Sequence, residues 1–120
     1  ALPISVEFGL IKENDKIKIY GAGILSSPGE VVFSIDSDSP NRIAFDMRRI
    51  MQTDYIIDDY QRTYWVIDSI EQLFSETQQD FKPIYQSLEK SPVVYGAGDV
   101  LTADEVYHHG TGAYHLARTA

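Results

Sequence analysis

The chain has 120 residues, with ten Lys and Arg against eighteen Asp and Glu, for a formal net charge of −8 at pH 7. That length supports a single domain, and 43% hydrophobic with 12% aromatic residues excludes a disordered acidic tail. The negative balance disfavours nucleic acid as the main partner, because phosphate binding needs a cationic surface.

No charged-then-apolar leader opens the chain, since Lys12 follows the first apolar stretch. Ile4 to Ile11 is apolar enough for burial, and periodicity leaves open whether it is a helix end or a strand. Glu13-Asn14-Asp15-Lys16 reads as a turn, because Asn and Asp bond their own backbone and tolerate the left-handed region. Lys16 to Tyr20 alternates charged and apolar residues, as a half-exposed strand does. Gly21-Ala22-Gly23 punctuates it. Ile24-Leu25 is a short apolar stub, and Ser26-Ser27-Pro28-Gly29 reads as a loop. Glu30 to Ile35 is β-branched and aromatic, which predicts a second strand pairing with the first.

Asp36 to Pro40 is a break. A short helix is expected over Arg42 to Gln52, with Asn41 to Ala44 ambiguous. Tyr55-Ile56-Ile57 and Thr63 to Ile67 read as strands. Asp68 or Ser69 is placed to cap a helix whose Ile70, Leu73, Phe74 and Thr77 share one face. The pattern breaks near Asp80 to Pro83 and resumes over Ile84 to Leu88. From Ser91 the apolar period fades, which predicts an extended tail over 91–120, ordered only in part. The coarse expectation is an α+β fold of short, mixed elements.

The absence of cysteine excludes disulfides, zinc–thiolate sites and iron–sulfur clusters. No apolar run approaches the roughly 18 residues a membrane span needs. These features suit a cytoplasmic protein, or a piece of one. The tetrapeptide Tyr-Gly-Ala-Gly occurs at 20–23 and 95–98 with unrelated flanks, so it marks turns rather than a repeat. Gly21 and Gly23 form only G-x-G, without the third glycine or the Lys-Ser/Thr pair of a phosphate loop. His108, His109 and His115 fit neither H-x-x-x-H nor a zinc-finger spacing, and solvated surface histidines are the expectation. No nucleophile elbow supports a triad built from Ser26 and one of them.

Glu7 stands out as a lone carboxylate inside Val6-Glu7-Phe8-Gly9-Leu10-Ile11. It either faces outward or needs a cation, a metal or hydrogen bonds to offset its burial. Glu30 has a similar position just after Pro28-Gly29, where a loop-edge charge is the simple reading.

Val6-Glu7-Phe8-Gly9-Leu10, followed by Ile19 to Ser27 and Gly29-Glu30, resembles the C-terminal part of the catalytic domain of the tetrahydropterin-dependent aromatic amino acid hydroxylases. Ser39 to Arg42, Phe45-Asp46, Arg49 to Met51, Gln61 to Tyr64, Val66 to Ser69, Gln72 to Phe74 and Gly96 to Val100 are similar to the bacterial phenylalanine 4-hydroxylases within that family. The likeness covers roughly residues 5 to 100.

The resemblance implies a monooxygenase that uses Fe(II), O2 and a tetrahydropterin to hydroxylate L-phenylalanine to L-tyrosine. Its iron is held by two histidines and one carboxylate, and Glu7 matches the carboxylate. Ser26 matches a serine that orients a ligand histidine. Gly23 matches a residue lining the amino-acid pocket, where a missing side chain lets backbone approach the ligand. Ser26, Ser27 and Glu30 match positions at that pocket's edge. The resemblance also implies the last part of a mainly helical fold with a small β-region, over residues 1–90, followed by a C-terminal tail, 91–120.

The family's H-x-x-x-x-H segment precedes its glutamate and has no counterpart in these 120 residues. The chain alone is therefore expected to be inactive, with self-association open to it through apolar surface left uncovered. The alternative is a truncated relative serving as a non-catalytic binding or assembly module.

Overall fold

A computed structural model of the chain describes residues 9–54, 56, 59–78, 82–90 and 94–119. Strands β1 (Gly9–Glu13) and β2 (Lys16–Ile19) form the expected hairpin, in register from Leu10 opposite Ile19 to Glu13 opposite Lys16. The turn puts Asn14 and Asp15 at φ 51 and 64. Two successive left-handed residues are what a two-residue hairpin turn requires to match strand twist. A short helix α1 (Ala22–Leu25) follows, occupying the glycine stretch and the apolar stub.

The predicted strand over Glu30 to Ile35 is instead helix α2 (Pro28–Asp36). Burial falls on Glu30, Phe33 and Ser34, while Val32 and Asp36 are exposed, which is a helical period and not an alternation. Ser27 sits at the N-cap with Pro28 immediately inside, where its locked φ is already helical and its missing N–H costs nothing. The helix stops at Ser37, and Arg42 caps its end. The Arg42 Nε donates to the Ser34 carbonyl (2.8 Å) and its Nη2 to the Ser37 carbonyl (2.6 Å), satisfying groups that the last turn leaves free.

The segment read as one helix from Arg42 to Gln52 divides. Asn41–Ala44 is strand β3, and helix α3 is confined to Met47–Met51. Asp46 separates them, its carboxylate accepting from the Arg49 N–H (3.1 Å) as an N-cap. Ile56 lies in no strand, and Tyr55 and Ile57 fall outside the described residues. Gln61 bridges this loop, accepting from the Ile56 N–H (3.2 Å) and donating to its carbonyl (2.6 Å). Strand β4 (Thr63–Ile67) is as expected. So is helix α4 (Ile70–Gln78), where Ser69 Oγ accepts from the Gln72 N–H and the Gln72 side chain accepts from the Asp68 N–H. Helix α5 (Lys82–Lys90) follows, so Lys82 and Pro83, expected within the break, are helical instead, and Asp80 and Phe81 lie outside the described residues.

The five-stranded sheet runs β2-β1-β4-β3-β5. Strand β4 is parallel to both of its neighbours, β1 and β3, and every one of its residues is buried, as a central parallel strand should be. Its alternation divides the core. Tyr64 and Val66 pack with Leu10, Ile24 and Phe33 on one face, beneath α1 and α2. Trp65 and Ile67 pack with Ile11, Ile43, Phe45, Met47 and Ile50 on the other, beneath α3.

Two elements occupy the stretch expected to be an extended tail. Strand β5 (Val106–His108) pairs antiparallel with β3, and helix α6 (Ala113–Thr119) follows. The second Tyr-Gly-Ala-Gly forms a turn closed by Asp99, whose carboxylate accepts from the Gly96 N–H (2.7 Å). The first leads into α1, so the same four residues serve different backbones. Among the described residues, no helix is long and apolar enough to cross a membrane.

Candidate functional site

The corner between the β-hairpin and α2 carries four of the five residues singled out in the sequence. The Gly9 carbonyl accepts from both the Tyr20 N–H (3.2 Å) and the Gly21 N–H (3.1 Å), which closes the hairpin and turns the chain into α1. Gly23 is half-buried within α1, and Ile24 beside it is fully buried, anchoring the short helix to the core. Ser26 ends the helix, with its hydroxyl donating to the Gly23 carbonyl (3.0 Å). Ser26 is exposed, and Ser27 is half-buried at the α2 N-cap with no side-chain capping bond. Leu25 and Val32 flank this corner, each 58% exposed. Glu7 lies outside the described residues.

Glu30 is not a loop-edge charge. It is 4% exposed in the first turn of α2, and its Oε2 accepts from the Gln61 N–H (3.1 Å) and the Tyr64 hydroxyl (2.5 Å). Tyr64 is fully buried, and that burial, reinforced by the hydrogen bond to Glu30 and its charge, drives the phenol pKa far above its usual value. The phenol is therefore a fixed neutral donor to the carboxylate. A charged acceptor strengthens both bonds and offsets the cost of burying the acid.

The α2 N-terminus rests on an aromatic layer. A Cβ on Gly29 would stand 2.0 Å from the Tyr60 hydroxyl, so only glycine permits this approach. The Tyr60 ring lies 4.8 Å from Phe33 and stacks at 5.2 Å on Tyr114 of α6. His115, expected to be solvated, is 7% exposed, with Nε2 at 2.7 Å from the Tyr60 carbonyl and Nδ1 without a partner. An imidazole beside the Phe33 and Tyr114 rings packs as a flat apolar body with one polar edge, which spacing alone does not reveal. His108 Nε2 lies 3.0 Å from the Asp38 carbonyl, and His109 is exposed. Among the described residues, no group of three His, Asp or Glu side chains could hold a metal ion.

A second polar centre, on the Trp65 face, had no signature in the motifs. The Arg49 Nε donates to Asp104 (3.1 Å) in an ion pair whose side chains are 7% and 6% exposed. The guanidinium also donates to the Asp99 carbonyl (2.8 Å) and lies between the Trp65 and Tyr95 rings, 5.3 and 4.8 Å from their centroids. Its one advance sign was Arg49 itself, a basic residue among Met47, Ile50 and Met51. The Ser-x-x-Glu spacing of Ser27 and Glu30 was a legible helix-start signal that the β-branched run obscured.

Comparison with known proteins places this geometry in a family. The family model for biopterin-dependent aromatic amino acid hydroxylases matches residues 3–100. The phenylalanine-4-hydroxylase of Ralstonia nicotianae is 55% identical over 107 residues, covering 89% of this chain and 34% of the relative. That of Chromobacterium violaceum is 52% identical over 106 residues, covering 88% and 35%. The crystal structure of the latter enzyme with iron and phenylalanine bound superposes with a TM-score of 0.79, at 52% identity, over 84% of this chain and 37% of that one. The chain thus spans about a third of the length of the relatives it matches. It belongs to the biopterin-dependent aromatic amino acid hydroxylase family.

Proposed function

We propose that these 120 residues form the C-terminal third of a bacterial phenylalanine 4-hydroxylase, a cytoplasmic enzyme converting L-phenylalanine to L-tyrosine with O2, Fe(II) and a tetrahydropterin. The observation that carries this reading is the 55% identity to a phenylalanine-4-hydroxylase sustained over 107 residues. The hydroxylase body takes in residues 1–90, with 91–120 as its C-terminal segment.

The described residues do not by themselves make an iron site. Glu7 supplies one carboxylate ligand, two residues before Gly9, and the two histidine ligands come from the rest of the polypeptide. Iron and pterin would supply oxygen activation, and the residues of this chain supply placement. Gly23 keeps the pocket wall free of a side chain. Ser26 orients a ligand histidine by its hydroxyl. Ser27 and Glu30 define the pocket's edge, Glu30 by tying the first turn of α2 to Tyr64 and Gln61. Alone, the chain is inactive and self-associates through the exposed Leu25–Val32 strip.

The test is Fe(II) stoichiometry and tyrosine formation in the longer polypeptide that contains this segment, beside its Glu7→Ala variant. The expected outcome is one tightly held iron and pterin-dependent tyrosine formation, both lost in Glu7→Ala. Iron binding that is unchanged in Glu7→Ala overturns the ligand role. A natural product of only 120 residues, without iron or activity, favours the non-catalytic module instead.

A further inference from the structure

Arg62, immediately before β4, is half-buried and makes no side-chain hydrogen bond or ion pair among the described residues. It differs in this from Arg42, Arg48 and Arg49, whose guanidinium groups are taken up by helix-end carbonyls, by Ser87 and by Asp104. It lines a cavity of about 200 Å³ at the start of the parallel pair β3 and β4. That volume is below the roughly 300 Å³ at which drug-sized sites begin, so the space fits one small group.

The walls of the cavity are fixed by bonds that leave Arg62 out. Asn41, 5% exposed, donates to Thr63 (3.2 Å) and to the Gly98 carbonyl (3.1 Å), and accepts from the Gly110 N–H (2.8 Å). The Ser39 carbonyl accepts from the Gly112 N–H (2.9 Å), and the Ser39 hydroxyl from the Tyr114 N–H (3.0 Å). Gly110 is required by close backbone approach, since a Cβ there would lie 2.2 Å from the Ser39 carbonyl oxygen. A Cβ on Gly98 would lie 2.8 Å from Arg62 Nε, so that glycine leaves the guanidinium its place. Among the described residues no carboxylate lines the cavity, and His109 and Thr111 complete its lining. Rigid walls, one uncommitted guanidinium and no competing acid favour a planar or tetrahedral oxyanion held by the Arg62 fork.

The geometry points to an oxyanion-binding site at Arg62, taking the carboxylate or phosphate group of a small molecule. It is independent of the proposed hydroxylase pocket, since Gly23, Ser26, Ser27 and Glu30 do not line it. The test is NMR titration of the longer polypeptide that contains this segment with sodium phosphate, and separately with sodium acetate, at ionic strength held constant by chloride. The expected result is a saturable shift of the Arg62 Nε–Hε resonance, with apparent affinity at least tenfold weaker in both Arg62→Gln and Gly98→Ala. Gly98→Ala keeps the charge and fills its space, so it supports the site even where Arg62→Gln fails to fold. Stronger response to phosphate assigns a phosphoryl ligand, and stronger response to acetate a carboxylate. A response that chloride reproduces, that does not saturate, or that Gly98→Ala leaves unchanged overturns the site.

Discussion

The two faces of β4 bury charge in opposite ways. On the Trp65 face, Arg49 and Asp104 neutralise one another, and Asp104 also accepts from the Leu101 N–H (2.8 Å). On the Tyr64 face, the hydrogen-bond partners of Glu30 among the described residues are a phenol and a backbone N–H, both neutral. The first arrangement is an anchor that pins the 95–105 segment to α3 and the sheet. The second holds a carboxylate by neutral donors beneath the helix that carries the candidate pocket edge. A buried acid solvated by neutral donors depends on their placement, so the Glu30 face is the more easily disturbed by small changes in geometry.

The sharpest test of this contrast removes one charge from the anchor. Arg49→Leu leaves Asp104 buried without its cation, and breaking a buried pair in this way costs about 3–5 kcal/mol. Urea unfolding at pH 7 measures the loss, and Asp104→Asn, which keeps an acceptor for the Leu101 N–H, should cost less. On the opposite face, Glu30→Ala strands the Tyr64 hydroxyl and the Gln61 N–H, at about 1–3 kcal/mol for each donor left unsatisfied. Glu30→Gln keeps an acceptor and removes the charge, so it should recover most of that loss. If Glu30→Gln is as damaging as Glu30→Ala, the negative charge itself is what Tyr64 and Gln61 require.

The pH dependence separates the faces by their phenols. Burial raises Tyr20, on the Trp65 face, to about 12, and burial with the Asp68 bond raises Tyr107, on the Tyr64 face, to about 12. Tyr64 is raised further, by burial first and then by Glu30. The unfolded chain ionises these phenols near pH 10 and so releases protons that the folded chain retains. Stability is therefore fully present below about pH 10 and is lost as pH rises toward about 12 and beyond. Between pH 9 and 11 both folded phenols stay protonated, so Tyr64→Phe and Tyr20→Phe should flatten this alkaline decline about equally, as read from urea midpoints. Above about pH 12 Tyr20 ionises in the folded chain and Tyr64 does not, so there Tyr64→Phe should flatten it more, and equal flattening would mean that Glu30 adds nothing to ordinary burial.

How much of this was legible follows from the range of the interactions involved. The hairpin, β4 and α4 are written in local patterns: alternation, an Asn-Asp turn, a Ser69 cap. The strand expected over Glu30 to Ile35 follows from the propensity of Val31, Val32 and Ile35, whereas Ser27 and Pro28 at the start and burial of Phe33 in the core make the segment helix α2. Strand β3 was ambiguous because its identity comes from pairing with β4, some twenty residues away. Gly23, Ser26, Ser27 and Glu30 were found through resemblance, yet the partners of Glu30 were invisible, since Gln61 and Tyr64 are more than thirty positions distant. Arg62 and its cavity were missed for the same reason: the walls come from β3, the Gly98 turn and the 109–112 loop.

The smallest expected effect belongs to a position that touches neither face, and it calibrates the others. Asp15 is exposed at φ 64 in the hairpin turn, beyond both hydrophobic clusters. An L-residue without a locally bonding side chain pays roughly 1–2 kcal/mol for the left-handed region, so Asp15→Ala should cost about 1 kcal/mol. Asp15→Gly relieves that strain but adds freedom to the unfolded chain, by about 0.4–1 kcal/mol. The two terms nearly cancel, and its urea midpoint should fall within about 0.5 kcal/mol of the parent. Since the turn shares no contact with Glu30 or Arg49, its effect should add independently to either. A double variant of Asp15→Ala with Glu30→Gln that departs from additivity would show that the hairpin transmits strain to α2 through the Gly9 carbonyl, and that the Tyr64 face extends further than its buried cluster.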